Sequence, residues 1–295
     1  MIPVPSDVLF PPVAFQELKH KPGRRTTWRA TPANGGRTAI VKRYASNRAP
    51  LVASRLAALA SGPCPPHIPA VLHVDPEGHV VVLSDVPGQP LRHAVLAGDT
   101  EACRRAGEAV GRWHQWWRGR SPAPLRPQTA ERELELLVPR AETTGGELGR
   151  AVVELAARLA GAWECSTVVH RDVYEEQLLV GPDGEIGLID LDDVALGPAE
   201  LDLGNLVAHL ELLALRTGRR VHEAVTAFLA GHAAAAGDPD PDLLDRCRRL
   251  TLLRLACIHR EPALLELARS SPAISSRRRR PAPSMPQPSE TARRS

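Results

Sequence analysis

The sequence predicts an α+β protein of two lobes, a small β-rich lobe followed by a larger helical one. Three observations carry this. Strand signals concentrate in residues 1–85, helical periodicity dominates from 99 to 269, and a Pro/Gly joint, VPGQPL (86–91), stands between them. A chain of 295 residues is long enough for two core-bearing lobes.

In the first lobe, TTWRAT and TAIVKRY flank the turn-forming NGG at 34–36 and predict a hairpin. HVVVLSD (79–85) predicts a further strand. Between them LVASRLAALAS (51–61) predicts one helix, opened by Pro50 and stopped by SGPCPP. The second lobe, residues 92–270, opens with Asp99-Thr100-Glu101 as a cap for a helix over 99–118. Further helices are predicted over 128–140, 145–163, 200–216, 219–235, 240–256 and 262–269, with one strand hairpin embedded among them. Residues 271–295, Pro-, Ser- and Arg-rich, predict a disordered tail.

Charge excludes several functions. The formal net charge is +3, but the tail holds six Arg and one Glu, so the folded part is slightly acidic and no nucleic-acid footprint is expected. The RRRR run lacks interleaved aromatics and reads as a solvated tail. Five scattered cysteines without C-x-x-C predict free thiols in a reducing compartment. The N-terminus has no basic n-region, and no apolar run reaches the roughly 18 residues of a membrane span. A cytoplasmic protein without membrane contact is expected, as monomer or homodimer.

The informative stretch is VVHRDVYEEQLLVGPDGEIGLIDLDD (168–193). GPDG is a turn tetrad, so Gln177–Val180 can pair with Glu185–Ile189. Pairing brings Gln177 and Asp190 together at the open end, with Asp172 five residues upstream. Carboxylates gathered that closely repel, and a cation between them relieves the repulsion. Hard oxygen ligands without His or Cys favour Mg²⁺ over zinc.

HRDVYEEQ resembles the H-x-D-x-x-x-x-N loop of the eukaryotic-like kinase superfamily, with Gln177 where Asn is usual. IDLDD is similar to the metal-binding Asp segment that follows, and AELDLGN (199–205) to the next element in the aminoglycoside phosphotransferase and choline-kinase-like family. VLSDVPGQPL resembles that family's lobe-joining linker, LKHKPGRRTTWRA its first hairpin, and AIVKRY its lysine-bearing strand. The resemblance implies a bilobal protein-kinase-like fold and an ATP- and Mg²⁺-dependent phosphoryl transfer to a hydroxyl of a small molecule. It implies Asp172 as catalytic base, and Asp190 with Gln177 as metal ligands. Lys42, Arg24 and Thr26 (or their neighbours Arg25 and Thr27) would contact the nucleotide, with Asp85 and Val86 at the joint. His170 and Asp202 would brace the loop.

The chain departs from the pattern in three places. KPGRRTT has one Gly where protein kinases have three, helix 51–61 has no Glu for Lys42, and Gln177 is one bond longer than Asn. The last two departures leave a nucleotide-binding module without turnover as an alternative. Asp192 and Asp193 read equally as solvated loop carboxylates or as members of the site. Trp113, Trp116 and Trp117 read as helix packing. Only 12 residues separate Asp190 from Asp202, too few for the platform on which protein kinases lay peptides. A small hydroxylated acceptor is expected. Whether it is an aminoglycoside, as in antibiotic resistance, stays open, because residues 198–270 balance ten acids against nine Arg.

Overall fold

The computed structural model describes residues 13–122 and 124–270. The tail expected to be disordered therefore lies outside the described residues. Five antiparallel strands make the first sheet: β1 (Val13–Lys21), β2 (Arg25–Pro32), β3 (Ala39–Tyr44), β4 (Val71–Asp75) and β5 (Val80–Ser84), in the order β1-β2-β3-β5-β4. Strand alternation divides its side chains between two faces. Val41, Val80 and Val82 pack on one face with Ala30 and Ala39. Val81, Leu83 and Tyr44 pack on the other, against Val52, Leu56 and Leu59 of α1 (Ala49–Leu59). That helix starts two residues earlier than its sequence suggests, because Pro50 occupies its first turn, where a missing N–H costs nothing.

The connection after β5 is shorter than the predicted joint. Val86, Pro87 and Gly88 bridge the lobes, and then Gln89–Pro90 pairs as β6 with Val180 and Leu179. Leu91 opens a helix the sequence pattern did not suggest, α2 (Leu91–Ala97), closed by Gly98 at φ 75°. The predicted boundary at 91–92 thus falls in the first turn of α2, directly behind the paired segment.

The second lobe is built from α3 (Thr100–Trp117), α4 (Ala130–Thr144), α5 (Gly146–Arg158), α6 (Ala199–Thr217), α7 (His222–Ala236), α8 (Pro241–His259) and α9 (Pro262–Arg269). Asp99 caps α3 by accepting from the Ala102 N–H. α3 and α7 approach backbone to backbone. A Cβ at Gly107 would lie 1.9 Å from the Phe228 carbonyl, and one at Gly231 would lie 1.9 Å from that of Arg104. Trp113 and Trp117 are core residues as expected, while Trp116 is 41% exposed and covered by Arg120.

Four short strands sit on these helices: β7 (Thr167–Val169), β8 (Leu178–Val180), β9 (Ile186–Leu188) and β10 (Ala195–Gly197). β8 and β9 are the predicted hairpin; β7 pairs with β10. All five cysteines are free. No described helix is long and apolar enough to cross a membrane.

Candidate active site

The hairpin sets the geometry. Leu178 faces Leu188 and Val180 faces Ile186, so the Ile189 N–H reaches the Gln177 carbonyl at 3.0 Å. Gln177 and Asp190 therefore meet at the open end, as the turn tetrad predicts. Asp190 then leaves the strand with φ 66°, in the left-handed region that few non-glycine residues occupy. Leu191–Asp193 follow as a single 3₁₀ turn.

Asp190 and Asp192 face the same two cations. Lys42 Nζ donates to Asp190 Oδ1 at 2.8 Å and to Asp192 Oδ1 at 2.7 Å. The Arg25 guanidinium donates to the other oxygen of each carboxylate. The Tyr44 hydroxyl donates to Asp192 Oδ2 at 2.8 Å. Two carboxylates and two cations so close a neutral box. Burial alone would raise the Asp190 carboxyl and lower the Lys42 ammonium. Each is overruled by the other's charge: Lys42 and Arg25 hold Asp190 well below the usual carboxylate range, and Asp192 with Asp190 holds Lys42 above the ordinary lysine value.

The missing helix Glu is thereby explained. Its place beside Lys42 is taken by Asp192, which is 2% exposed and no solvated loop residue. The helix and its N-cap contribute charge of the opposite sign: Arg48 pairs with Asp193 at 2.7 Å, and Arg55 donates to the Asp192 carbonyl. Asp193 keeps a half-exposed side chain.

The loop carrying Asp172 is braced from behind. Asp202, wholly buried, accepts the His170 N–H at 2.8 Å and the Arg171 N–H at 2.7 Å. His170 Nε2 lies 2.8 Å from the Ile189 carbonyl, and its Nδ1 accepts the Asp172 N–H at 3.2 Å. Burial would raise the Asp202 carboxyl, but His114 at 3.0 Å and the loop amides hold it below its ordinary value. Asn205 Nδ2 donates to the Val173 carbonyl at 2.6 Å, while its Oδ1 accepts from Arg254. Arg254 in turn stands 3.9 Å from Asp172, whose side chain is 48% exposed. His114, Asn205 and Arg254 escaped the sequence reading. Asn205 ends the segment AELDLGN (199–205), whereas the other two are far away in sequence.

Two cavities meet here. One, about 470 Å³, runs from the joint to the box and is lined by Asp85, Val86, Lys42, Gln177, Asp190 and Asp192 among others. The second, about 370 Å³, lies against α4 and α8 and contains Asp172. Arg25 and Asp190 line both.

Of the residues expected in the first cavity, Lys42, Asp85 and Val86 are present. Asp85 is engaged by Arg29 at 2.9 Å and Thr38 at 2.8 Å. Thr26 is not there; its hydroxyl lies 2.8 Å from His20 Nδ1 in a groove on the hairpin's other side. The reason is strand register. Thr27 pairs with Lys42, so Arg25, Thr27 and Arg29 share the lysine's face and Thr26 does not. Arg24, in the turn, lines the second cavity rather than the first.

Among the described residues, no three His, Cys, Asp or Glu side chains form a metal cluster. Asp190, Asp192 and the Gln177 amide nevertheless line one wall. Two carboxylates and an amide are the donor set of a Mg²⁺ site that completes its shell with phosphate oxygens and water, and in that sense these residues fit the ion.

A model of the phosphotransferase enzyme family matches residues 22–250, from the first hairpin into α8. Among solved structures, the chain is similar to a choline kinase from Cryptosporidium parvum Iowa II (TM-score 0.62, 14% identity, 87% of this chain and 86% of that one). It is also similar to an aminoglycoside phosphotransferase from Streptomyces rimosus (TM-score 0.58, 20% identity, 81% and 92%) and to a macrolide 2'-phosphotransferase from Brachybacterium faecium (TM-score 0.55, 17% identity, 87% and 89%). Over 48 residues it is 52% identical to a Methanothermobacter thermautotrophicus protein described as a "probable bifunctional tRNA threonylcarbamoyladenosine biosynthesis protein"; the chain spans 9% of that protein's length. With the kinase-like fold in common and the family's pattern running through both lobes, the chain belongs to the phosphotransferase enzyme family.

Proposed function

We propose that the protein is an ATP-dependent O-phosphotransferase acting on a hydroxyl of a small molecule. One observation carries this: two cavities, one at the joint and one against the helical lobe, meet at Asp190, with Asp172 exposed in the second. The nucleotide takes the first cavity, base toward Asp85 and Val86 and phosphates toward Lys42 and Arg25. The acceptor takes the second.

In the transfer, Asp172 orients the acceptor hydroxyl and takes its proton as the oxygen bonds to the γ-phosphorus. The bond from that phosphorus to the β,γ-bridging oxygen breaks, and its electron pair leaves on ADP. His170, Asp202 and Asn205 fix the loop, so Asp172 does not have to be reorganised during reaction. Lys42 and Arg25, held in place by Asp190 and Asp192, present their charge to the phosphates. Asp190, Asp192 and Gln177 would hold Mg²⁺, which when bound neutralises charge on the phosphates. A cytoplasmic setting, where ATP is available and thiols stay reduced, agrees with five free cysteines.

The test is ATP consumption against a panel of sugars, amino alcohols and antibiotics, with Mg²⁺ titrated. Asp190→Ala should abolish the Mg²⁺-dependent activity. Nucleotide binding that ignores both Mg²⁺ and this substitution would instead support a binding module without turnover.

A further inference from the structure

The second cavity carries more positive charge than its own carboxylates can match. Four basic side chains enter from the hairpin and the N-cap of α1: Lys21, Arg24, Arg25 and Arg48. Three come from the helical lobe: Arg140 on α4, Arg171 from the loop and Arg254 on α8. Against these seven stand four carboxylates, each already faced by a cation. Asp190 has Arg25, Asp193 has Arg48 at 2.7 Å, Glu133 has Arg171 at 3.6 Å, and Asp172 has Arg254 at 3.9 Å. Lys21, Arg24 and Arg140 are left without an ion pair to any described residue.

These three surplus cations differ in position. Lys21 and Arg24 belong to the hairpin beside the box, where the phosphates of the proposed nucleotide arrive. Consistent with crowding by like charge, burial together with Arg25 and Lys19 pushes the Lys21 ammonium below its ordinary value. Arg140 is on the opposite wall, on the acceptor side. Its neighbours there are apolar: Leu136, 55% exposed, and Ile258, 46% exposed, line the same cavity. An unpaired guanidinium beside exposed aliphatic side chains recognises an oxyanion attached to an apolar body. A polyamine sugar would bring ammonium groups into a cavity that already has an excess of their sign, which rejects it.

We infer that the acceptor is an anionic molecule: a hydroxyl group directed to Asp172, a carboxylate or phosphate held by Arg140, and a short apolar flank against Leu136 and Ile258. This rests on the phosphotransferase reading and narrows it, away from polycationic aminoglycosides.

The experiment uses one ring in four charge states: glucosamine, glucose, glucuronate and glucose 1-phosphate. Binding to the full chain with Mg·ADP is measured by calorimetry, and Mg·ATP turnover is measured in parallel. Affinity should climb at least tenfold from glucosamine to the better of the two anions, and which of these leads tells carboxylate from phosphate. Arg140→Gln should flatten the climb without changing Mg·ADP affinity, and Arg140→Glu should invert it in favour of glucosamine. Arg140 is exposed and has no ion pair to lose among the described residues, so both variants should fold. A flat or inverted series in the wild type, undetectable binding of all four included, overturns the inference. So does an Arg140→Gln variant whose loss falls on Mg·ADP. Rapid phosphorylation of kanamycin would overturn it while leaving the phosphotransferase reading intact; failure to bind Mg·ADP at all would remove that reading instead.

Discussion

The two cavities that meet at Asp190 are held in place by different means. In the first, charge is buried and closed on itself: Lys42, Arg25, Asp190 and Asp192 satisfy one another between a strand face and a tight turn. In the second, the central carboxylate, Asp172, is half exposed, its cation is nearly 4 Å away, and two of the lining guanidiniums, Arg24 and Arg140, have no ion pair among the described residues. Buried, mutually paired charge resists displacement, because removing one member strands the other in a poor solvent. Exposed, loosely paired charge is free to exchange partners. The contrast separates the parts of the site that must stay still from those that must engage something new. Substitutions should accordingly divide into losses of stability and losses of turnover.

The largest effect should come from the open side. Asp172→Asn should lower turnover by about 10²–10⁴-fold, the usual worth of a positioned base, with melting temperature and nucleotide affinity unchanged. Near-normal turnover with any phosphorylated acceptor would show that Asp172 takes no proton.

On the closed side the same sort of substitution should act on the fold. Asp192→Ala leaves Lys42 and Arg25 with one carboxylate between them, and should cost about 3–5 kcal/mol in urea unfolding. A loss below about 1 kcal/mol would mean that water already solvates the box.

Behind the loop, His232 provides a pH test. Burial, then His114, lowers its imidazole to about 3, against an ordinary 6.5. The unfolded chain therefore binds a proton that the folded protein refuses between those values. The share of stability due to His232 should be full above about pH 6.5 and fall on acidification by about 1.4 kcal/mol per pH unit toward pH 3, with His209, likewise lowered by burial to about 3, adding a share of its own. His232→Asn should flatten that slope by one proton, which unfolding measured from pH 7 to 5 will detect.

The smallest effect tests strand register. The Thr27 hydroxyl is buried in the first cavity without a partner among the described residues. Thr27→Val should raise the melting temperature slightly and weaken nucleotide binding several-fold, since an unmet polar group typically costs about 1–3 kcal/mol. Thr26→Val, on the other face, should leave nucleotide binding alone. If both act equally on binding, the register assigned to β2 and β3 is wrong.

What could be read from the sequence follows the same division. Gln177 and Asp190 are joined by a hairpin with a recognisable turn, so their meeting was predictable from local signals. Lys42 stood out through the scarcity of lysine. The choice between Thr26 and Thr27 needed the register of β2 against β3, which the NGG turn alone does not fix. Asp192 was ambiguous because a carboxylate behind a strand looks the same whether it faces water or a buried lysine. β7 and β10 are three residues each, too short for alternation to show. Arg140 and Arg254 are brought to one cavity only by the packing of α4 near α8, and His114 reaches Asp202 across 88 residues. No local pattern encodes such meetings.

The substitution of Asp192 for a helix carboxylate also changes the mechanics of the site. Where a lysine is held by a carboxylate on a separate helix, three bodies must be aligned: the strand, the helix and the metal-binding turn. Here both counter-ions of Lys42 come from one turn, two positions apart, so β3 and that turn suffice. Helix α1 touches the assembly from outside, through its N-cap Arg48 and through Arg55. With the number of parts reduced from three to two, α1 bears on Lys42 only through the turn that Arg48 and Arg55 hold.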